Sequence, residues 1–463
     1  FSFRPDLRLD YIEDTNSNRV GAIYDAGGRL VEVRHSSGQR FKFEYDSRGL
    51  LFRFTDDNSR VTEYSYDAAG EHLIKVAAPG WRVTSYDYYT GSDIAQKHSL
   101  KGIVYPDGTH QYYSYDGKGR LTEEYRDGGA ERVRYSYDEM GNVSITDAAA
   151  NSANVLVEEH GLPAAIKNSL GETARLSYDA RSNLAQVTDP VGQPFRLEYD
   201  LKGNAIAATG PLNSDIRLAY DPRNGKVTNL KDARSSQTQM EYDVHGNLVK
   251  ITHPDSTSNT FAYDARGNIV SVTSHKGDRI SYTYNGRGQL TEKKYPDVSV
   301  VNYEYDKYGN MVTAKDEHGA IAMEYDELGW LTKVTYPSGQ WFRYEYDAAG
   351  KRTKRVDRNG QNLTYMYDSV GRLTGIIDAA RTGVVSYEYD AAGRRSKRIL
   401  GNGTFAAYEY NQAGRLSRLA NYDASGKVLS SFAYTYDSRG NPTTVTTPDG
   451  TSRYEYDAAS QLV

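Results

Sequence analysis

The stretch YPSGQWFRYEYDAAGKRTKRV, from Tyr336 to Val356, decides the fold because nearly all of the chain is a variation on it. At its centre Tyr346 precedes Asp347, and a Tyr followed by Asp or Asn recurs in register in 20 copies, mostly 20 to 22 residues apart. Self-similarity at a short, fixed period indicates a repeat architecture. The repeat markers include Tyr66, Asp67, Gly70, Tyr263, Asp264, Gly267, Tyr305, Asp306, Gly309, Tyr346, Asp347, Gly350, Tyr367, Asp368, Gly371, Tyr389, Asp390 and Gly393.

Each repeat has the pattern of two short strands and two tight turns. The residue two before the marker Tyr is Tyr in 11 copies and Phe, Leu or Met in seven more, and this alternation predicts a β-strand with one buried face. The Asp then opens a turn, and Gly follows three residues later in 16 of the 20 copies. A second turn, such as Pro106–Gly108 or Pro337–Gly339, lies halfway to the next marker.

Strands joined in this way pair antiparallel, so the sequence predicts an all-β meander of about 40 strands. Because large sheets twist and curl, we expect the ribbon to wind into a hollow shell, partial or complete. Residues 1–463 are predicted to form a single array of about 20 repeats of about 21 residues. A β-propeller is the alternative, although it would need about ten blades where four to eight are usual.

Three units depart from the period, near residues 87–110, 147–172 and 411–435. A spacing of 29 residues after Tyr86 predicts a longer loop or lengthened hairpin over 87–98. The Ala-rich segment 147–151 suggests a short helical turn, and Glu159–Pro163 occupies the place of a missing marker, as expected for a decayed repeat. In 411–435 the spacing predicts a longer hairpin arm.

Composition favours a thin wall over a thick core. Hydrophobic residues make up 38% of the chain, and Tyr supplies 41 residues where Phe supplies 11. A ring with a polar tip suits a sheet that has water near both faces. The 56 basic and 61 acidic residues are interspersed, which argues against nucleic-acid binding, and no apolar stretch is long enough for a membrane span.

No residue pattern points to catalysis. The periodic Asp and Asn residues after Tyr are interpreted as turn formers and not as a carboxylate array for metal or sugar. The chain has no Cys, its nine His residues show no metal-ligand spacing and are expected to be scattered surface or turn residues, and no nucleophile, phosphate-loop or dinucleotide motif is present. We therefore predict a protein that is not an enzyme, with no cofactor and no metal.

Aromatic side chains offer an alternative site. Trp81, Trp330 and Trp341 are candidate ligand-facing residues because exposed indole rings stack on sugars. Their ordinary role in a sheet is to pair across strands.

The pattern Tyr-Asp-x-x-Gly-Arg/Asn-Leu, with Pro-Asp-Gly turns between copies, closely resembles the YD repeats of the Rhs family of bacterial polymorphic toxins. The resemblance covers residues 20–460 and extends to toxin-complex B and C components, wall-associated bacterial proteins and the teneurin shell. It implies a β-ribbon that spirals into a hollow cocoon around a C-terminal toxin domain. Toxin-type members carry an autoproteolysis motif, PxxxxDPxGL, which is absent here: the nearest string, Asp189–Gly192, has Gln193 in place of Leu and Leu184 in place of Pro.

From this resemblance we expect an encapsulation shell that protects a C-terminal toxin cargo until delivery. Its partners would be that cargo and components of a secretion or delivery apparatus, and its location would be exported or delivered. The chain begins without Met and ends shortly after a marker, so it is predicted to be an excerpt of a longer protein. The alternative is a cell-surface adhesin or carbohydrate-binding module that binds glycans.

Overall fold

A computed structural model describes residues 1–91 and 93–463. Ser92, which belongs to the predicted loop 87–98, lies outside the described residues. In the part described, the chain forms 43 β-strands, and each strand pairs antiparallel with the next in sequence. The predicted all-β meander is therefore confirmed, with slightly more strands than expected.

The first strands are β1 (Ser2–Phe3), β2 (Leu9–Glu13), β3 (Arg19–Tyr24), β4 (Leu30–His35), β5 (Arg40–Tyr45), β6 (Leu51–Thr55), β7 (Val61–Tyr66), β8 (Leu73–Ala78), β9 (Arg82–Tyr88), β10 (Leu100–Val104), β11 (His110–Tyr115), β12 (Leu121–Arg126), β13 (Val133–Tyr137) and β14 (Val143–Thr146). The middle strands are β15 (Ser152–Val157), β16 (Pro163–Asn168), β17 (Thr173–Tyr178), β18 (Leu184–Thr188), β19 (Pro194–Tyr199), β20 (Ala205–Thr209), β21 (Asp215–Tyr220), β22 (Val227–Lys231), β23 (Gln237–Tyr242), β24 (Leu248–Thr252), β25 (Ser258–Tyr263), β26 (Ile269–Thr273), β27 (Arg279–Tyr284) and β28 (Leu290–Lys294). The last strands are β29 (Val300–Tyr305), β30 (Met311–Asp316), β31 (Gly319–Tyr325), β32 (Leu331–Thr335), β33 (Trp341–Tyr346), β34 (Arg352–Asp357), β35 (Asn362–Tyr367), β36 (Leu373–Asp378), β37 (Gly383–Tyr389), β38 (Arg395–Leu400), β39 (Phe405–Tyr410), β40 (Leu416–Tyr422), β41 (Val428–Tyr436), β42 (Pro442–Thr447) and β43 (Gly450–Arg453).

Two kinds of turn alternate along the ribbon. The marker turn follows each Tyr-Asp pair, and the link turn joins one repeat to the next. In the marker turn between β25 and β26, the Gly267 N–H donates to the Asp264 carbonyl at 3.1 Å, and Gly267 has φ +82°. The ladder shifts register by one residue beside Tyr263, so the hairpin combines a tight turn with a β-bulge. The glycine is needed because this φ lies in the left-handed region.

Helical structure in the described residues is limited to two short 3₁₀ turns, Asp127–Gly129 and Pro211–Asn213. The helical turn predicted for the Ala-rich segment is wrong: Asp147 donates its N–H to the Asn151 carbonyl at 2.9 Å in a link turn, and Ala150 has φ +61°. Within the described ranges, no helix has the length and apolar character needed to cross a membrane.

The repeat without a marker keeps the hairpin geometry. Val157 and Glu158 take the Tyr and Asp positions, slightly ahead of the segment that the spacing indicated. Glu158 donates its N–H to the Leu162 carbonyl at 2.8 Å, and the Gly161 N–H donates to the Glu158 carbonyl at 2.9 Å. In 411–435 the two strands lengthen instead, since β40 has seven residues and β41 has nine.

The ribbon winds back on itself. Hydrogen bonds join turns that are between 230 and 268 residues apart in sequence. At 21 residues a repeat, one coil contains about 11 to 13 repeats. We call the contact line the seam: link turns of the first coil, residues 14–189, meet marker turns of the second coil, residues 243–439.

The wall has almost no enclosed core. The buried apolar side chains in the described residues are five alanines and two valines, and no large side chain there is fully buried. The accessible surface is 26902 Å². A compact protein of 51.8 kDa would expose about 17,000 Å². The excess indicates a sheet with solvent close to both faces, as the composition predicted.

This architecture predicts the scattering of the chain in solution. A solid globule of this length would have a radius of gyration of about 23 Å. We expect small-angle X-ray scattering to give a clearly larger value, because the mass lies in a wound wall. A value near the solid-globule figure would contradict the wound ribbon.

Candidate functional site at the marker turns and the seam

The marker Asp organises its turn through its carboxylate. In the turn after β25, Asp264 Oδ1 accepts the backbone N–H groups of Arg266 and Asn268, each at 2.9 Å. Its Oδ2 accepts the Asn268 side-chain amide at 2.8 Å. Burial alone would raise the pKa of Asp264, but these hydrogen bonds outweigh it and lower the pKa. The carboxylate therefore serves the turn, as the sequence pattern indicated.

The residue after the turn Gly completes this arrangement. Asn supplies a side-chain amide at this position, and Arg supplies a guanidinium: Arg372 Nε donates to Asp368 Oδ2 at 2.8 Å. The sequence pattern has Arg or Asn after the Gly, and the structure gives the reason: both side chains donate to the marker carboxylate.

The marker Tyr links neighbouring repeats through its hydroxyl. Tyr305 donates to the carbonyl of Leu290, the first residue of the preceding strand β28, at 2.8 Å. In 17 of the 20 marker copies the Tyr hydroxyl makes a bond of this type. Phe could fill the same space but could not donate, so the Tyr excess has a specific cause.

In two of the remaining copies, the hydroxyl of the marker Tyr does not donate to the carbonyl of the preceding strand. The strand β9 continues past the marker Tyr86, and Tyr88 makes the bond instead, to the Leu73 carbonyl at 3.0 Å. Tyr325 contacts the sulfur of Met323 at 3.6 Å.

Ion pairs cross the seam, and in each of them the acidic residue comes from the same coil. Its acidic residues come from link turns of the first coil, and its basic residues come from marker turns of the second coil. The pairs are Asp57 with Arg287 (3.6 Å), Asp107 with Lys351, Glu131 with Arg372 (3.4 Å), Glu172 with Arg415 (2.6 Å) and Asp189 with Arg439 (3.0 Å). Charge complementarity of this kind fixes the register between two surfaces.

Uncharged contacts continue the seam. Asn16 and Asn247 exchange side-chain hydrogen bonds, with Asn247 Nδ2 2.9 Å from Asn16 Oδ1. Asn58 Nδ2 donates to the Tyr308 carbonyl at 3.2 Å. A groove of about 780 Å³ lies beside this last contact, with Trp81 and Leu328 among its lining residues.

The three tryptophans predicted to face a ligand lie in different settings. Trp81 is 78% exposed, with φ +56° in a link turn at the seam groove. Trp330 is half-buried at the same seam, where the guanidinium carbon of Arg82 lies 5.2 Å from its ring centre. Trp341 begins β33, and Arg343 lies 5.5 Å from its ring centre. Of the three, Trp81 lines the groove, Trp330 contacts Arg82 across the seam, and Trp341 lies apart from both in β33.

The interpretation of the nine histidines as scattered surface or turn residues is wrong for His72, which is buried and contacts the exposed His98. His72 is only 8% exposed, and its Nδ1 lies 2.6 Å from Asp67 Oδ2. Its Nε2 lies 2.7 Å from Nδ1 of His98. Spacing in sequence did not reveal this pair, because the two residues are brought together by a cross-repeat contact.

The marker hydroxyl predicts a measurable stability effect. Tyr305→Phe should lower the free energy of unfolding by about 1 kcal/mol, because it leaves the Leu290 carbonyl without its donor. Urea denaturation followed by circular dichroism measures the change. The matched control is Tyr325→Phe, whose hydroxyl contacts a thioether and should matter less. Equal losses in the two variants would contradict the assigned role.

The seam predicts a dependence on pH. Burial would raise the pKa of Asp107, but hydrogen bonds from Lys351 and Thr109 prevail and lower it from 3.8 to about 2. Because the folded-state pKa is depressed, the stabilisation is complete above about pH 4 and is lost as the pH falls toward 2. Asp107→Asn should therefore lower Tm at pH 6, and the gap to the wild type should close near pH 2.

The control for this experiment is Asp449→Asn in the exposed Pro448–Gly450 turn, which repeats the Pro-Asp-Gly sequence of the seam turn. Thermal unfolding at a series of pH values checks both variants. A Tm gap for Asp107→Asn that stays constant from pH 6 to pH 2 would show that the seam carboxylate does not contribute as described.

Comparison with known proteins places the chain among shell-forming repeats. The family model for the teneurin YD-shell matches residues 10–157, 114–278, 216–395 and 261–440, and the RHS repeat model matches residues 436–463. Together these matches extend over most of the sequence.

Individual relatives share short parts of their length with this chain. It is 28% identical over 142 residues to the probable deoxyribonuclease RhsB of Dickeya dadantii (strain 3937), covering 27% of this chain and 10% of that protein. It is 27% identical over 126 residues to the double-stranded DNA deaminase toxin A of Burkholderia cenocepacia (strain H111), covering 23% of this chain and 8% of that protein. The chain thus matches about a tenth or less of these relatives' length.

A solved structure shows the same fold. The crystal structure of TcdB2-TccC3-TEV superposes with a TM-score of 0.69 and 14% identity, covering 99% of this chain and 33% of that chain. Because the superposition covers 99% of this chain, it includes residues of both coils. By its repeats, its wound sheet and the family match over residues 10–440, the chain belongs to the YD-shell family of Rhs-type repeat proteins.

Proposed function

We propose that this chain is a non-enzymatic wall segment of a shell that encloses a C-terminal toxin cargo until delivery. The observation that carries the proposal is the seam: it turns a thin ribbon into a continuous wound surface. A meander without a seam would leave gaps between coils, and a compact core would leave no space for a cargo.

The distribution of side chains supports one face as the inner one. In β29, Tyr303 and the marker Tyr305 lie on the same face of the sheet, which we call the Tyr face, and both are half-buried. Glu304 between them lies on the opposite face and is exposed. A curved sheet crowds side chains on its concave side, so we assign the Tyr face to the interior. Cross-strand pairs such as Lys333 with Glu324, 2.7 Å apart, then lie on the solvated exterior.

A half-buried aromatic lining suits an incompletely folded polypeptide. Tyr rings offer apolar area together with hydroxyl groups, which accommodates exposed side chains of mixed character. The relatives include a probable deoxyribonuclease and a DNA deaminase toxin. We therefore expect the cargo to be a toxin polypeptide within a longer parent protein, exported or delivered with the help of a secretion apparatus.

Sugar binding is the alternative for the groove beside Trp81. In its favour, the indole is 78% exposed and borders a groove lined also by Arg287 and Tyr308. Because Trp341 lies elsewhere and Trp330 is engaged by Arg82, the three rings do not form one platform. The wall function accounts for more of the structure.

The proposal predicts that breaking the seam exposes the cargo. In the complete gene product, we expect the wild-type cargo to be digested by thermolysin at least tenfold more slowly than the isolated cargo. Arg415→Glu should remove most of this protection, because it replaces a 2.6 Å ion pair with repulsion from Glu172. Adding Glu172→Arg to that variant should restore protection by reversing the pair.

The matched control is Arg418→Glu, which breaks the exposed pair with Glu409, 2.9 Å apart and away from the seam. It should leave protection at the wild-type level. Digestion of the cargo at the same rate with and without the shell would refute encapsulation. Loss of protection in Arg418→Glu to the same degree as in Arg415→Glu would refute the role of the seam.

A further inference from the structure

The pair His72 and His98 arises where two neighbouring repeats both depart from the pattern. The marker turn after Tyr66 has one extra residue, so the Asp67 N–H donates to the His72 carbonyl, at 3.0 Å, five residues on instead of four. The next marker turn is replaced by the longer hairpin that carries His98. Either irregularity alone is an ordinary insertion, but together they bring two imidazoles and two carboxylates to one place.

His72 is held in one tautomer. Its Nδ1 lies 2.6 Å from Asp67 Oδ2, in the position that the Arg or Asn side chain occupies in other marker turns. The Asp67 carboxylate accepts a hydrogen bond from the Nδ1–H of His72, and this hydrogen bond is the main cause that lowers the pKa of Asp67. The Nε2 of His72 therefore presents a lone pair. The ring is buried, and it lies 4.6 Å from the Tyr88 ring, centre to centre.

His98 is placed opposite that lone pair by a costly backbone conformation. Its φ is +71°, which is unfavourable for a residue with a side chain. The conformation is stabilised by the His98 N–H, which donates to the Tyr89 carbonyl at 3.0 Å. Gln96 anchors the same hairpin by donating to the Tyr115 carbonyl at 3.1 Å. The result sets Nδ1 of His98 2.7 Å from Nε2 of His72.

A third ligand atom lies beside the two nitrogens. Glu71 Oε2 is 3.9 Å from Nδ1 of His98, and the three atoms lie within 4.8 Å of one another. Two imidazole nitrogens and a carboxylate oxygen form a donor set typical of zinc. An Asp that orients a ligating His through the opposite ring nitrogen is the usual outer partner at such sites.

From this geometry we propose that Glu71, His72 and His98 bind a divalent transition-metal ion of the zinc type, with Asp67 as the positioning residue. Two nitrogens bound to zinc at about 2.0 Å in tetrahedral geometry stand farther apart than 2.7 Å, so the rings must separate slightly. His98 is 46% exposed and can move outward. The metal would hold the long hairpin against the preceding repeat, at the point where the repeat pattern is interrupted.

The test uses the whole chain without an affinity tag, stripped with a chelator and titrated with zinc chloride by calorimetry. We expect one equivalent of zinc to bind and Tm to rise with zinc concentration, because a ligand specific to the folded state stabilises it. In His98→Asn the affinity should fall at least tenfold. Asn is chosen because it tolerates the left-handed backbone at this position.

His275→Asn, which alters an exposed His outside the cluster, is the matched control and should bind zinc as the wild type does. Glu71→Gln provides a second variant, because its side chain is exposed and its loss should spare folding while weakening zinc binding. Absence of zinc uptake by the wild type would overturn the proposal. Equal affinity in the wild type, His98→Asn and Glu71→Gln would overturn it as well.

Discussion

The hydrogen bonds from the backbone to the marker carboxylate are the interaction on which the rest of this structure depends. An Asp such as Asp264 accepts two backbone N–H groups that would otherwise be unpaired, and it also accepts a hydrogen bond from the side chain of the residue after the turn Gly. This fixes the direction in which the chain leaves each hairpin. Because the same turn recurs after nearly every marker, each repeat is rotated in a similar way relative to the one before it. These rotations add up, so the ribbon coils although it has no large hydrophobic core.

A thin sheet of this kind needs stabilisation that does not come from burial. The Tyr hydroxyls donate hydrogen bonds to carbonyls of the neighbouring strand, and ion pairs form between strands on the opposite face of the sheet. Individually these contacts contribute little, since exposed ion pairs are worth at most about 1 kcal/mol. Their number, and the repetition of the same geometry, replace the large buried side chains that are absent from the described residues. Stability of this form is spread along the chain, as in other repeat arrays.

The sequence was sufficient to predict the strands, the marker turns and the coiling, because all three follow from local periodicity. It indicated that Tyr346 ends a strand and that Gly350 needs a left-handed backbone, and the structure agrees. The seam was beyond prediction, because the pairing of Asp107 with Lys351 depends on twist accumulated over 244 residues. The His72 and His98 pair was missed for a related reason, since each residue lies in an insertion whose path is not periodic.

The polarity of the seam follows from the same turn chemistry. In the second coil the residue after the turn Gly is often Lys or Arg, as in Lys351, Arg372 and Arg415, and it already lies beside the marker Asp or Asn. A long cationic side chain can satisfy that residue and still reach an acidic link turn on the coil next to it: Arg372 contacts both Asp368 and Glu131. Asn at this position completes its own turn but is too short for most of these contacts. In three of the five charged pairs of the seam, this one residue therefore both closes a hairpin and joins two coils, whereas in the other two pairs the Arg before the turn Gly, Arg287 or Arg439, makes the contact.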